Sequence, residues 1–127
     1  MMTATMKKTV SLLLLTIVAL ALAVPAFAAT WTHSYKFNYN GTEDSHSSSF
    51  IAGPAAIDDS TGNVTITLTG PYFPELVKDG VTYYGTYSSG VTTFVFPGDD
   101  SADIPISLHV VVPPFHDTWY DLDIHWD

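Results

Sequence analysis

This 127-residue chain sets 13 acidic residues against four lysines and no arginine, for a net charge of −9, and contains no cysteine. That balance leaves no basic patch to displace counterions from nucleic acid or to hold an anionic membrane surface. The missing cysteines exclude disulfides, a lipidated cysteine anchor and a thiol nucleophile, and the length allows one small folded domain.

The chain opens with Lys7 and Lys8, a mostly apolar run from Val10 to Leu22, and the small-residue sequence Ala26-Phe27-Ala28. A positive start, a short apolar run and small residues at a cleavage spacing predict a secretory signal peptide over residues 1–28. The run is short for a membrane span and is followed at once by the cleavage-type sequence. Residues 29–127 form the expected mature domain, which keeps Lys36 and Lys78 against all 13 acids, a net charge of −11. No second apolar run follows, so the expected product is secreted, with no stable membrane association after leader cleavage.

Beyond the leader the pattern is that of strands. Candidates in chain order are Thr32 to Tyr39, Pro54 to Ile57, Val64 to Thr69, Val81 to Tyr87, Val91 to Phe96, Ile104 to Val112 and a closing strand through Trp126. Val64, Ile66 and Leu68 alternate with threonines, and Ile104, Ile106, Leu108, Val110 and Val112 alternate over a longer span, the signature of half-buried strands. In the closing strand Tyr120, Leu122, Ile124 and Trp126 share one face while Asp121 and Asp123 take the other. Asn40-Gly41, Asp58 to Asn63, Lys78-Asp79-Gly80, Ser88-Ser89-Gly90 and Gly98-Asp99-Asp100 mark the turns. The Ser-rich stretch from Glu43 to Phe50 lacks alternation and suits a short 3₁₀ or helical turn. Roughly seven or eight short strands so spaced predict an all-β fold, an immunoglobulin-like antiparallel sandwich forming one domain.

The closing strand also carries the most informative side chains. His116 and Tyr120 are four residues apart and project from one face, over the Val-rich strand that precedes them. An imidazole beside a phenol above an apolar floor suits a flat, metal-centred ligand such as haem, which needs one axial donor and an apolar slot. The same spacing also fits a surface histidine beside a core tyrosine. His109 and His125 fall on the polar parity of their strands and are expected to be exposed or paired locally; His33 lies in what reads as a frayed start. Asp58-Asp59 and Asp99-Asp100-x-x-Asp103 lack the fixed oxygen spacing of a calcium loop. No strained Ser elbow or zinc set appears, so no catalytic residue is assigned.

Position by position, residues from about Tyr35 to Asp127 resemble the NEAT (near iron transporter) family, haem-binding domains secreted or displayed by Gram-positive bacteria. The anchors are Asn40-Gly41-Thr42-Glu43 leading into a Ser-containing turn, Gly53-Pro54-Ala55, and Val64-Thr65-Ile66-Thr67-Leu68-Thr69. The most specific is Leu108-His109-Val110-Val111-Val112-Pro113 followed by Tyr120-x-Leu122-x-Ile124-x-Trp126-Asp127. The resemblance implies haem as cofactor, held between the closing hairpin and the Ser-containing turn. It also implies a role in haem capture and transfer for iron acquisition, with other haem-binding surface domains as partners.

In the family the closing strand carries Tyr-x-x-x-Tyr, whose first tyrosine ligates iron and whose second supports it. Here Tyr120 holds the second position and His116 the first. Either His116 replaces the tyrosinate as metal ligand, or the site has lost haem. A tyrosinate must be ionised from a pKa near about 10 and favours ferric iron, whereas neutral imidazole serves both ferric and ferrous haem. The resemblance matches Ser45, with Ser47 as substitute, to a serine that bonds a haem propionate. His46 beside them either reaches the distal iron face or is an exposed turn residue. Tyr72 and Phe73 match positions where aromatics line the pocket edge, and Val110 and Val112 would form its floor. The alternative function is an all-β recognition module for a protein or glycan, presenting Trp31, Trp119 and the Tyr-rich strand from Val81 to Tyr87.

Overall fold

The computed structural model describes residues 30–127, and the expected signal peptide therefore lies outside the described residues. Among the described residues the chain forms eleven strands, most of them from the alternating runs, and the Ser-rich stretch forms one short helix. In chain order these are β1 (Thr30–His33), β2 (Tyr35–Tyr39), β3 (Thr42–Glu43), α1 (Ser45–Ser48), β4 (Ala55–Asp58), β5 (Asn63–Thr69) and β6 (Glu75–Lys78). They continue with β7 (Val81–Tyr84), β8 (Thr86–Ser88), β9 (Val91–Pro97), β10 (Ile104–Val112) and β11 (His116–Trp126).

Two antiparallel sheets result, one ordered β1-β4-β5-β9-β8 and the other β3-β2-β11-β10-β6-β7. Their inner faces bury Phe37, Val64, Ile66, Leu68, Leu76, Phe94, Phe96, Leu108 and Ile124 against one another, each at most 2% exposed. The all-β immunoglobulin-like sandwich expected from the sequence is the observed fold. Tight turns keep the strands in register. At Asn40-Gly41 both residues take positive φ (51° and 80°), the two-residue hairpin geometry whose twist matches the strands it joins.

The strand count exceeds the expected seven or eight because β3 and β6 are short strands outside the candidate runs and because two continuous runs each divide between the sheets. Thr32 to Tyr39 breaks at Ser34, so that β1 pairs with β4 and β2 pairs with β11. Val81 to Tyr87 breaks at Gly85, sending β7 to β6 and β8 to β9. A Cβ at Gly85 would stand 2.7 Å from the Phe73 carbonyl oxygen and 2.6 Å from Thr92 Cγ2, so only glycine passes this corner without displacing backbone.

The start of the domain is pinned, contrary to the frayed reading of His33. His33 Nδ1 lies 2.9 Å from Asp100 Oδ2 and Nε2 lies 2.8 Å from the Asp127 carbonyl oxygen, while Trp31 Nε1 donates to the same Asp100 oxygen at 3.0 Å. The hydrogen bond to Asp100, then that to the Asp127 backbone, raises the His33 pKa above its ordinary 6.5. A histidine with a raised folded pKa contributes its full stability below the unfolded value and loses it as pH climbs through the folded one. Thermal stability should therefore decline as pH rises above about 6.5, and His33→Gln should flatten that decline in melts across this window.

Candidate functional site

The helix α1 exists because Asp44 caps it. Asp44 Oδ2 accepts from Ser47 N at 3.3 Å, satisfying one of the orphan donors of the first turn. The turn is fixed to the sandwich by Asp44 N donating to the Phe37 carbonyl at 2.9 Å and by Phe37 N donating to Ser48 Oγ at 3.0 Å. Beyond the helix, Thr69 N bonds the Phe50 carbonyl at 2.7 Å and Ala52 N bonds the Thr67 carbonyl at 2.9 Å. The Tyr72 segment is tied to β10 by Val111 N donating to the Tyr72 carbonyl at 2.9 Å.

These ties leave a groove of about 480 Å³ between α1 and the β10–β11 hairpin. Its floor is apolar, with Leu108, Val110 and Val112 from β10 and Leu122 from β11. One end is closed by Phe50, Tyr72 and Phe73, which meet edge to face with ring centroids 5.5 to 6.3 Å apart. His46 stands edge-on to Phe50 at 5.7 Å and lines the lip with Asp44 and Ser47.

His116 and Tyr120 make the opposite wall. The antiparallel register sets His116 against Val112 and Tyr120 against Leu108, so both rings lie over the β10 floor. Tyr120 Oη and His116 Nε2 are 2.9 Å apart, and the two rings are nearly parallel, 14° between planes, with centroids 5.9 Å apart. An imidazole nitrogen and a phenol oxygen therefore meet above the apolar floor of the groove. Among the described residues no three His, Cys, Asp or Glu side chains gather to hold a metal ion. A metal at this point would have to bring most of its own ligands, as a metal-bearing macrocycle does.

The structure thus brings seven of the eight sequence-assigned residues, His46, Tyr72, Phe73, Val110, Val112, His116 and Tyr120, around one groove. Ser45 is exposed and is not among the residues lining the groove, whereas Ser47, the substitute named with it, is. Two residues along a helix turn a side chain through about 200°, so fixing the helix start at Asp44 decides between them. Sequence reading also missed Asp44 and Phe50. The first was legible as an Asp three residues before Ser47, the second as the apolar residue that closes the Ser run.

The other histidines lie elsewhere. His109 sits on the outer face between Glu75 Oε1 at 3.2 Å and Asp117 Oδ1 at 2.6 Å, stacked on Trp119 at 4.5 Å, and His125 pairs with Asp103 at 2.9 Å.

No family model matches the chain, and neither does any curated protein. Solved structures do. The NEAT5 domain of IsdX2, a Bacillus anthracis hemophore in complex with haem, aligns with a TM-score of 0.66 at 17% identity, covering 79% of this chain and 96% of that one. The fold is that of a NEAT domain. A single-substitution mutant of the same IsdX2 domain, also in complex with haem, aligns at TM-score 0.64 and 17% identity, over 79% of this chain and 95% of that one. Identity this low speaks for the NEAT fold, and the argument about the site rests on this chain's own residues.

Proposed function

We propose that this protein is a secreted haem carrier, which takes haem into the groove between α1 and the β10–β11 hairpin and passes it to other haem-binding surface domains. The observation that carries the reading is the His116–Tyr120 pair, 2.9 Å apart, on the wall of an apolar groove. Solved NEAT domains hold haem, and the groove suits such a group. Its volume of about 480 Å³ falls within the roughly 300–1,000 Å³ of small-molecule sites, and its floor is aliphatic and its closed end aromatic. Haem, when bound, would supply an iron that accepts a donor from the protein.

In this reading His116 would hold that iron through the ring nitrogen that Tyr120 leaves free, with no deprotonation of an anionic donor required. Tyr120 orients the ring by its hydrogen bond and parallel packing, the part that outer-shell partners play around metal-bound histidines. Val110 and Val112 would exclude water from the floor under such a group, Tyr72, Phe73 and Phe50 would give it aromatic contacts at the closed end, and His46 faces the groove from the other lip. Capture and release are binding steps, so the protein acts as a carrier and not as an enzyme. Among the described residues no helix is long and apolar enough to cross a membrane.

A haemin titration followed by visible absorption tests this. A saturable Soret band at one haemin per chain, with imidazole-type features that survive dithionite, is the expected result. Absence of saturable binding would leave the recognition-module reading, for which the exposed aromatics Tyr84, Tyr87 and Trp119 are the candidate contacts. Tyr120→Phe should weaken haemin affinity by roughly 10-fold, the low end for loss of an outer-shell partner, without a change in melting temperature. Unchanged affinity and spectrum would remove Tyr120 from the site.

A further inference from the structure

The helix lip of the groove is chemically lopsided. Asp44 lines it and holds its carboxylate in place by accepting from Ser47 Oγ at 2.6 Å as well as from Ser47 N. The Ser47 hydroxyl proton is thus spent inside the turn. Ser49 Oγ donates to the His46 carbonyl at 2.6 Å and Ser48 Oγ to the Phe37 carbonyl at 3.4 Å. Ser45, the remaining serine, lies outside the groove.

Among the described residues no lysine or arginine balances this carboxylate. The chain has no arginine. Lys36 is paired with Asp127 at 3.4 Å and Lys78 with Asp79 at 3.0 Å, and neither lysine lines the groove. Haem carries two ionised propionates on one edge. Were that edge to meet this lip, an acceptor carboxylate and hydroxyls already engaged would repel it.

Resting on the haem-binding reading, we propose that Asp44 is a charge filter at the helix lip. It disfavours an ionised carboxylate there, so the groove accepts an iron porphyrin with its acid edge masked more readily than one with free propionates. Two like charges a few ångströms apart near a protein surface shift a dissociation constant by roughly tenfold or more, and salt screens the effect.

The experiment titrates the protein with haemin and with haemin dimethyl ester at low and high salt, in the wild type, Asp44→Asn and Asp59→Asn. Asparagine caps a helix as well as aspartate, so Asp44→Asn removes the charge and keeps the turn. Asp59, exposed in the β4–β5 turn, controls for net charge. Asp44→Asn should tighten haemin binding about 5- to 10-fold at low salt, leave the ester unchanged, and lose its advantage at high salt. Asp59→Asn should change neither. An equal haemin-to-ester ratio in the wild type and Asp44→Asn overturns the filter, as does an equal gain in both variants. If neither porphyrin binds the wild type, the haem reading itself falls, a result distinct from either of these.

Discussion

His116→Ala is expected to weaken haemin binding by more than about 100-fold while leaving the melting curve close to that of the wild type. Loss of an outer-shell partner costs about 10- to 100-fold in metal affinity, and loss of the donor itself should exceed that. Stability should hold because His116 is exposed beside the hairpin tip, where Phe115 is 96% exposed, so the substitution opens no cavity in the core. Absorption titration together with a thermal melt of each protein checks both halves. Retained affinity with an unchanged spectrum would show that the ligand lies elsewhere, and the nearest candidate donor is Tyr120 Oη at 2.9 Å.

Phe37→Ala should have the largest effect on stability. Phe37 is fully buried on β2, meets Tyr35 edge to face at 5.7 Å, and also lines the groove beneath α1. Truncating a buried phenylalanine costs about 3–5 kcal/mol, a large part of the roughly 5–15 kcal/mol that holds a domain of this size. In a domain of about 100 residues the melting temperature should fall by roughly 15–30 °C. Because the Phe37 ring also lines the groove beneath α1, the substitution should remove support from the lip and weaken haemin binding. Urea unfolding gives the first effect and a haemin titration in the cold gives the second. A loss below about 1 kcal/mol would mean that the core closes over the gap.

The parts of this fold that the sequence made legible are those where one face of a strand is buried along its whole length. Val64, Ile66 and Leu68 are all fully buried on β5, and Ile104, Ile106 and Leu108 are buried on β10, as their alternation requires. By the same parity His116 and Tyr120 share one face, and the register carries them over Val112 and Leu108.

What escaped the sequence was set by tertiary packing. A strand that leaves one sheet for the other keeps its alternation, so the breaks at Ser34 and Gly85 do not show in hydropathy. The Gly85 corner exists because Phe73 and Thr92 crowd it. Strand β6 is four residues long, starts next to Pro74 and carries Glu75 and Lys78 at its ends, so it offers little pattern to read. The choice between Ser45 and Ser47 depended on helix phase, which needs the cap position and not composition. His33 looked frayed because its partners, Asp100 and Asp127, stand 67 and 94 residues away.

On the proposed reading, the groove between α1 and the β10–β11 hairpin takes a haem macrocycle. Amide chemical shifts of the isotope-labelled protein, titrated with diamagnetic zinc protoporphyrin, test it most directly. Shifts confined to His46, Ser47, Tyr72, Val110, Val112, His116, Tyr120 and their immediate neighbours are the expected result. Shifts centred on the outer face around His109 and Trp119, or none at saturating porphyrin, would contradict it.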